Sequence, residues 1–210
     1  MFLSQILLDR MNKKNIQLLS DVYCLHRFVM SGFTGQSDIQ RVLFRVEPEI
    51  KDRVVRVLIQ SQIQPIRSYY EENGTGVLDV QMREITPKDI ESTFQPGTSL
   101  RFRLRANPVV TRDGKRRGLI RDESLESWLR NKEKIAGASF HSITCIDEGY
   151  VFGEKIRDGN RHRLNLKTVR YEGILKVIDP DVFLDIAIKH GIGPAKGLGF
   201  GLLSVPYKRA

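Results

Sequence analysis

Cysteine is scarce in this chain, with two residues among 210, Cys24 and Cys145. Two thiols so placed give no disulfide framework, and a reducing cytoplasm is the simplest compartment. Long apolar runs are missing as well: no stretch approaches the roughly 20 residues that span a bilayer, so no membrane partner is expected. The apolar start MFLSQILLDR lacks a basic n-region and meets Asp9 and Arg10 at once, which reads as a first strand rather than a leader. Metal half-sites are lacking too. The close Cys/His pairs, Cys24-x-His26 and His141-x3-Cys145, do not have structural zinc spacing. No metal and no cofactor is expected. Finally, no K/R-G-F/Y-G/A-F segment occurs, which disfavours single-strand base stacking of the RNP type.

What the chain does have is positive charge in two places. The composition is that of an ordinary globular protein, 40% apolar and 28% charged, with a net charge of +9. Thr98 to Arg121 holds eight Lys/Arg against one acid, and Glu154 to Lys176 holds seven against three. Concentrated patches on a near-neutral remainder point to nucleic acid as a partner. Solubility is the blander reading of the same charges.

Hydrophobic periodicity gives the element order. Phe2 to Leu8 reads as a strand, Ser20 to Phe33 as a helix started by Ser20 or Asp21, and Arg41–Val46 with Val54–Gln60 as a hairpin across a Pro-Glu turn. Ile63 to Gly76 is ambiguous, and Leu78 to Ile85 is a fourth strand. This order fits a ferredoxin-like β-α-β-β-(α)-β unit. Phe94-Gln-Pro-Gly97 separates it from a second series. That series comprises a strand over Leu100–Val110, a helix over Arg121–Ala136, and strands over Phe140–Ile146, Tyr150–Ile156 and Leu164–Val177 with a turn at Asp158-Gly159-Asn160. A helix over Pro180–His190 and a last strand over Leu198–Val205 close it. The expected architecture is α+β: two tandem ferredoxin-like (RRM-like) domains, 1–92 and 98–210, each an antiparallel sheet with helices on one face.

On the first long helix, Val22, Leu25, Phe28 and Val29 share one side, and Tyr23, His26, Arg27 and Met30 the other. A phenol and an imidazole at i and i+3, with Arg27 beside them, can address one phosphate. RNA strand cleavage needs such groups: a base for the 2′-OH, an acid for the leaving 5′-oxygen and a cation for the phosphorane. A plain surface His–Tyr pair is the competing reading of the spacing.

The C-terminal GIGPAKGLGFGLL carries Gly191, Gly193, Gly197, Gly199 and Gly201. It is neither a P-loop, since Lys196 precedes its glycine and Leu198 comes after it, nor a GxGxxG fingerprint. Two readings stand: exposed N–H groups with Lys196 lying against phosphates, or a turn needed for close packing. Upstream, Arg103 and Arg105 stud a strand that leads into a basic loop, where Arg112, Lys115, Arg116 and Arg117 surround Asp113-Gly114. A second basic hairpin carries Arg157, Arg161 and Arg163. Together they suit a duplex RNA backbone, read by shape more than by base identity.

Several motifs together resemble one family. MFLSQILLD, DVYCLHRFVM, FRLRANPVVTRDGKRRGL, Trp128-Leu129, YEGILKVIDPDVF and HGIGPAKGLGFGLLSV are similar to the CRISPR-associated repeat-RNA endoribonucleases of the type I-E Cascade system. The resemblance spans nearly the whole chain. It implies two ferredoxin-like domains and metal-independent cleavage of CRISPR precursor RNA at the 3′ base of the repeat hairpin, leaving 2′,3′-cyclic phosphate and 5′-OH ends. It places catalysis on His26 and Tyr23. Transition-state charge falls to Arg27 or Lys196, since Met30 and Ser31 stand where some relatives carry a further basic residue. It implies retention of the mature guide RNA, other Cascade subunits as partners, and a prokaryotic cytoplasm. The alternative is a non-catalytic RNA-binding subunit of the same ribonucleoprotein.

Overall fold

A computed structural model describes residues 1–37, 39–47, 53–72, 76–112, 114–157 and 160–208. The chain forms two compact units, the first 1–84 with 151–165 and 197–199, the second 85–150 with 166–196 and 200–210. These differ from the expected ranges 1–92 and 98–210. Residues 85–92 belong with the second unit, while the outer part of a long hairpin and three residues of the glycine-rich segment belong with the first.

The first unit contains, in order, β1 (Phe2–Asp9), α1 (Lys13–Ser20), α2 (Val22–Ser31), β2 (Leu43–Val46), β3 (Val54–Ser61), α3 (Arg67–Glu72) and β4 (Val77–Glu84). The sheet order is β2-β3-β1-β4, and β1 pairs antiparallel with both neighbours. This is the ferredoxin-like arrangement, and the ambiguous stretch after residue 63 supplies its second helix. Ser4, Ile6 and Leu8 alternate inward on β1, as the pleat requires. Ile6 and Leu8 join Val55, Val57 and Ile59 of β3 and Leu25, Phe28 and Val29 of α2 in one core. The Tyr70 hydroxyl of α3 donates to the Val29 carbonyl at 2.8 Å, and its ring lies 5.4 Å from Phe28. Gly32 leaves room for that phenol, since a Cβ there would overlap it. The C-terminal end of α2 is therefore fixed by packing. The expected Pro-Glu turn between β2 and β3 lies outside the described residues.

The second unit repeats the pattern. It runs α4 (Pro87–Thr93), β5 (Ser99–Ala106), β6 (Val109–Arg112), β7 (Lys115–Gly118), α5 (Asp122–Arg130), α6 (Glu133–Ala136), β8 (Ala138–Arg157), β9 (Asn160–Val177), α7 (Pro180–Val182) and β10 (Leu203–Ser204). The order β10-β5-β9-β8 is again ferredoxin-like, with helices between the first and second and between the third and fourth strands. Burial along β5 alternates as expected, arginines outward and Phe102, Leu104 and Ala106 inward. Phe102 meets Phe140 at 5.1 Å, and Trp128 stacks on Tyr171 at 5.8 Å.

Several expectations need correction here. The strand over Leu100–Val110 breaks after Ala106, where Pro108 cannot donate to a ladder. Beyond the break the chain forms a separate hairpin, β6–β7, rather than a loop. The helix over Arg121–Ala136 is two helices, α5 and α6. The strands over Phe140–Ile146 and Tyr150–Ile156 are one strand, β8. The helix over Pro180–His190 turns π-helical from Phe183. The last strand shrinks to Leu203–Ser204, because Gly199 and Gly201 take φ values of 87° and 85°. The turn at Asp158-Gly159-Asn160 lies outside the described residues at 158 and 159.

Candidate active site

Helix α2 starts at an N-cap that the sequence provides. Asp21 is extended, and its Oδ1 accepts from the Tyr23 N–H at 2.7 Å and the Cys24 N–H at 3.1 Å. Val22, Leu25, Phe28 and Val29 are buried, as the helical wheel requires. Tyr23 and His26 are half-buried one turn apart, and Arg27 is exposed. Two members of the expected polar face go elsewhere. Met30 packs against the core. The Arg27 Nη2 leans back to Cys24 Sγ at 3.2 Å.

The rest of the first unit closes around Tyr23 and His26 through glycines. Gly153 of β8 lies so near α2 that a Cβ there would stand 2.7 Å from Val22 Cγ2 and 2.9 Å from Tyr23 Cδ2. A Cβ at Gly197 would stand 3.8 Å from His26 Cε1 and 3.9 Å from Nδ1. His26 Nδ1 itself is buried with no hydrogen-bond partner. That leaves Nε2 as the ring nitrogen for proton chemistry. The Glu154 N–H donates to Asp21 Oδ2 at 2.8 Å, so strand and helix are bonded as well as packed. Sequence reasoning did not find Gly153 or the second bond of Asp21. A lone glycine inside a strand pattern was the available signal, since it marks close backbone approach.

The remaining glycines are mostly conformational. Gly191, Gly193, Gly199 and Gly201 have φ between 76° and 87°. Gly193 sits against Trp128, and Gly199 against Phe44. The Gly201 N–H is bonded to the Arg105 carbonyl at 2.8 Å. Lys196 opens a short 3₁₀ turn, its Cγ near Gly201.

The basic residues fall into two groups. On the outer face of the second sheet Arg103 pairs with Glu172 at 2.8 Å, and Arg105 with Glu148 at 2.8 Å. Arg170 bridges both glutamates, and the Arg105 guanidinium also lies 5.4 Å from the Phe200 ring centre. These arginines are held in a ladder. Arg117 on β7, by contrast, is exposed opposite Val110. Arg112 and Lys115 face each other in register at the hairpin end, with Arg116 opposite Thr111. In the first unit Arg161 and Arg163 are largely exposed, with long pairs to Glu154 at 3.6 and 3.9 Å. The side chains of Arg112, Lys115, Arg116 and Arg157 lie outside the description.

Beneath β7, the Cβ of Lys167 comes so near Gly118 that a Cβ on the glycine would stand 2.8 Å from it. The buried Lys167 ammonium bonds Asp147 at 2.6 Å and lies 4.9 Å from the Tyr150 ring centre. That bond, with the Gly149 N–H, holds the Asp147 carboxyl below the usual carboxylate range. Among the described residues no three His, Cys, Asp or Glu side chains gather to hold a metal. Among them, too, no helix is long and apolar enough to cross a membrane.

Comparison with known proteins gives this geometry a family. The chain is 28% identical to the CRISPR-associated endoribonuclease Cse3 of Thermus thermophilus, over 98% of this chain and 99% of that protein. It is 32% identical to the CRISPR system Cascade subunit CasE of Escherichia coli, over 98% of both chains. A solved structure of CRISPR endoribonuclease Cse3 bound to a 19-nucleotide RNA superposes with a TM-score of 0.82 at 27% identity, covering 98% of this chain and 100% of that one. With residues 1–206 matched by the family model for CRISPR associated protein, this chain belongs to that family.

Proposed function

We propose that this protein is an endoribonuclease that cuts CRISPR precursor RNA at the 3′ base of the repeat hairpin and keeps the mature guide RNA as a subunit of Cascade. The observation that carries the reading is the seating of His26. Its Nδ1 is buried against Gly197, its Nε2 is left for chemistry, and Tyr23 stands one turn away. The names of the two curated relatives, an endoribonuclease and a Cascade subunit, support the same activity and assembly.

The reaction needs no cofactor in this account. The 2′-OH loses its proton, O2′ attacks the adjacent phosphorus, and the P–O5′ bond breaks. The departing O5′ takes a proton, leaving a 2′,3′-cyclic phosphate and a 5′-OH. His26 moves protons at Nε2, a role that an imidazole can fill as acid or as base. The Tyr23 phenol orients the 2′-OH by hydrogen bonding. Charge on the phosphorane is met by Lys196, which directly precedes Gly197, with Arg27 as the other cation in the neighbouring sequence. The β6–β7 hairpin and the β8–β9 hairpin grip the duplex backbone through Arg112, Lys115, Arg116, Arg117, Arg157, Arg161 and Arg163. Arg103 and Arg105 serve the sheet ladder first. The bacterial cytoplasm is the compartment in which this work is done.

The test is cleavage of the cognate repeat hairpin in excess EDTA, with the product ends identified. A single cut yielding cyclic phosphate and 5′-OH is expected. Cleavage abolished by chelation, or a 5′-phosphate product, overturns the mechanism.

A further inference from the structure

Asp21 has two carboxylate oxygens engaged in two different tasks. Oδ1 caps α2 through the Tyr23 and Cys24 N–H groups. Oδ2 accepts the Glu154 N–H at 2.8 Å, from a residue 133 positions away. Serine or asparagine would satisfy the cap alone. The two tasks fall on separate oxygens, so an amide in place of the carboxylate would present an NH₂ group to one set of donors.

Glu154 is itself a junction. Its backbone is bonded to Asp21, and its side chain faces Arg161 and Arg163 across the hairpin. The residue before it, Gly153, lies close to the Tyr23 ring, where a Cβ would stand 2.9 Å from Cδ2. We infer that Asp21 is a positioning residue, which ties the helix bearing Tyr23 and His26 to the strand that carries the basic hairpin. Phosphates held by Arg161 and Arg163 are thereby set in register with the helix. This rests on the proposed cleavage reaction, and it adds to that reaction the part that aligns grip with chemistry.

Three substitutions separate alignment from simple stability. Asp21→Asn keeps the capping oxygen but turns an NH₂ group towards the Glu154 N–H. Asp21→Ser keeps a cap alone, and Asp21→Ala removes both bonds. Each variant is assayed for single-turnover cleavage at saturating repeat RNA, for RNA affinity and for melting temperature. Displacement of reacting groups by about 1 Å lowers rates by up to roughly 100-fold. The Asn and Ser variants are therefore expected to lose about 10-fold or more in rate, with affinity within about 2-fold and melting little changed. The Ala variant loses rate similarly and also melts lower. A wild-type rate in Asp21→Asn and Asp21→Ser, or losses that follow melting temperature alone, overturns the inference.

Hydrogen exchange of the Glu154 amide reads the bond without activity. Protection in the wild type, lost about 10-fold or more in Asp21→Asn while the rest of β8 is unchanged, is the expected pattern. An unprotected Glu154 amide in the wild type refutes the clamp. A wild type that does not cleave refutes the proposed function instead, and the exchange result then decides the clamp alone.

Discussion

A methyl group added at Gly153 would stand 2.7 Å from Val22 Cγ2, 2.9 Å from Tyr23 Cδ2 and 3.3 Å from Tyr23 Cε2. Carbon atoms in contact rest roughly 3.5–4.0 Å apart, so Gly153→Ala forces a shift of about 1 Å. Val22 is β-branched and buried, which leaves it little rotamer freedom. The strand or the start of α2 must move, and Tyr23 with it. Overpacking of this kind costs roughly 1–3 kcal/mol. In a chain of this size each kcal/mol lowers the melting temperature by about 2–4 °C. A displacement of about 1 Å at reacting groups lowers rate by up to about 100-fold. Gly197→Ala is the matched comparison. Its methyl would meet His26 at 3.8 and 3.9 Å, ordinary contact, so melting is expected to change by less than about 1 kcal/mol equivalent. Both variants are measured by thermal melting and by single-turnover cleavage at saturating RNA. Wild-type melting and rate in Gly153→Ala would refute the geometry, as would equal destabilisation by the two substitutions.

Arginines in the glutamate ladder and arginines on hairpins should behave differently towards salt. Arg117→Ala and Arg163→Ala are each expected to weaken RNA binding and reduce the slope of log K against log salt by roughly one. Arg105→Ala, which leaves Glu148 with a single partner, should lower the melting temperature while changing that slope less. Titrations across a salt series check both; equal slope changes at Arg105 and Arg117 would contradict the division. The Lys167–Asp147 pair predicts a pH effect. Because the folded-state carboxyl is held low, its stabilisation is present above the ordinary carboxylate range and is lost as pH falls through the folded value. Wild type should therefore melt above Asp147→Asn at pH 6, the difference vanishing in strong acid. A difference that grows on acidification reverses the sign and sinks the reasoning.

The sequence exposed what depends on local periodicity. The strand set of the first unit was legible, that of the second only in part, and the face of α2 that carries Tyr23 and His26 was legible too. Helix α1 was not, because Asn15 fills a core position where the pattern wants an apolar residue. Its amide is satisfied by the Asp9 and Gly76 carbonyls, from distant parts of the chain. Helix α4 is signalled locally by a Thr86–Asp89 capping box with Pro87, though it carries no long apolar periodicity. Strand β8 looked broken at Asp147-Glu148-Gly149, the composition of a turn. Its acids are engaged instead by Lys167, Arg105 and Arg170, partners that lie between 20 and 43 residues away. The same long range hid the site's frame. That Gly153 lies against Tyr23, and Glu154 bonds Asp21, depends on a hairpin folding back across 130 positions or more.

The central claim is that His26 moves the proton in RNA cleavage, and one substitution tests it directly. Single-turnover cleavage of the cognate repeat hairpin is compared between wild type and His26→Ala in EDTA, with RNA affinity measured on the same samples. The account predicts a rate lower by about 100-fold or more with affinity within about 2-fold. Cleavage at the wild-type rate, or a loss of rate matched by an equal loss of binding, would contradict it.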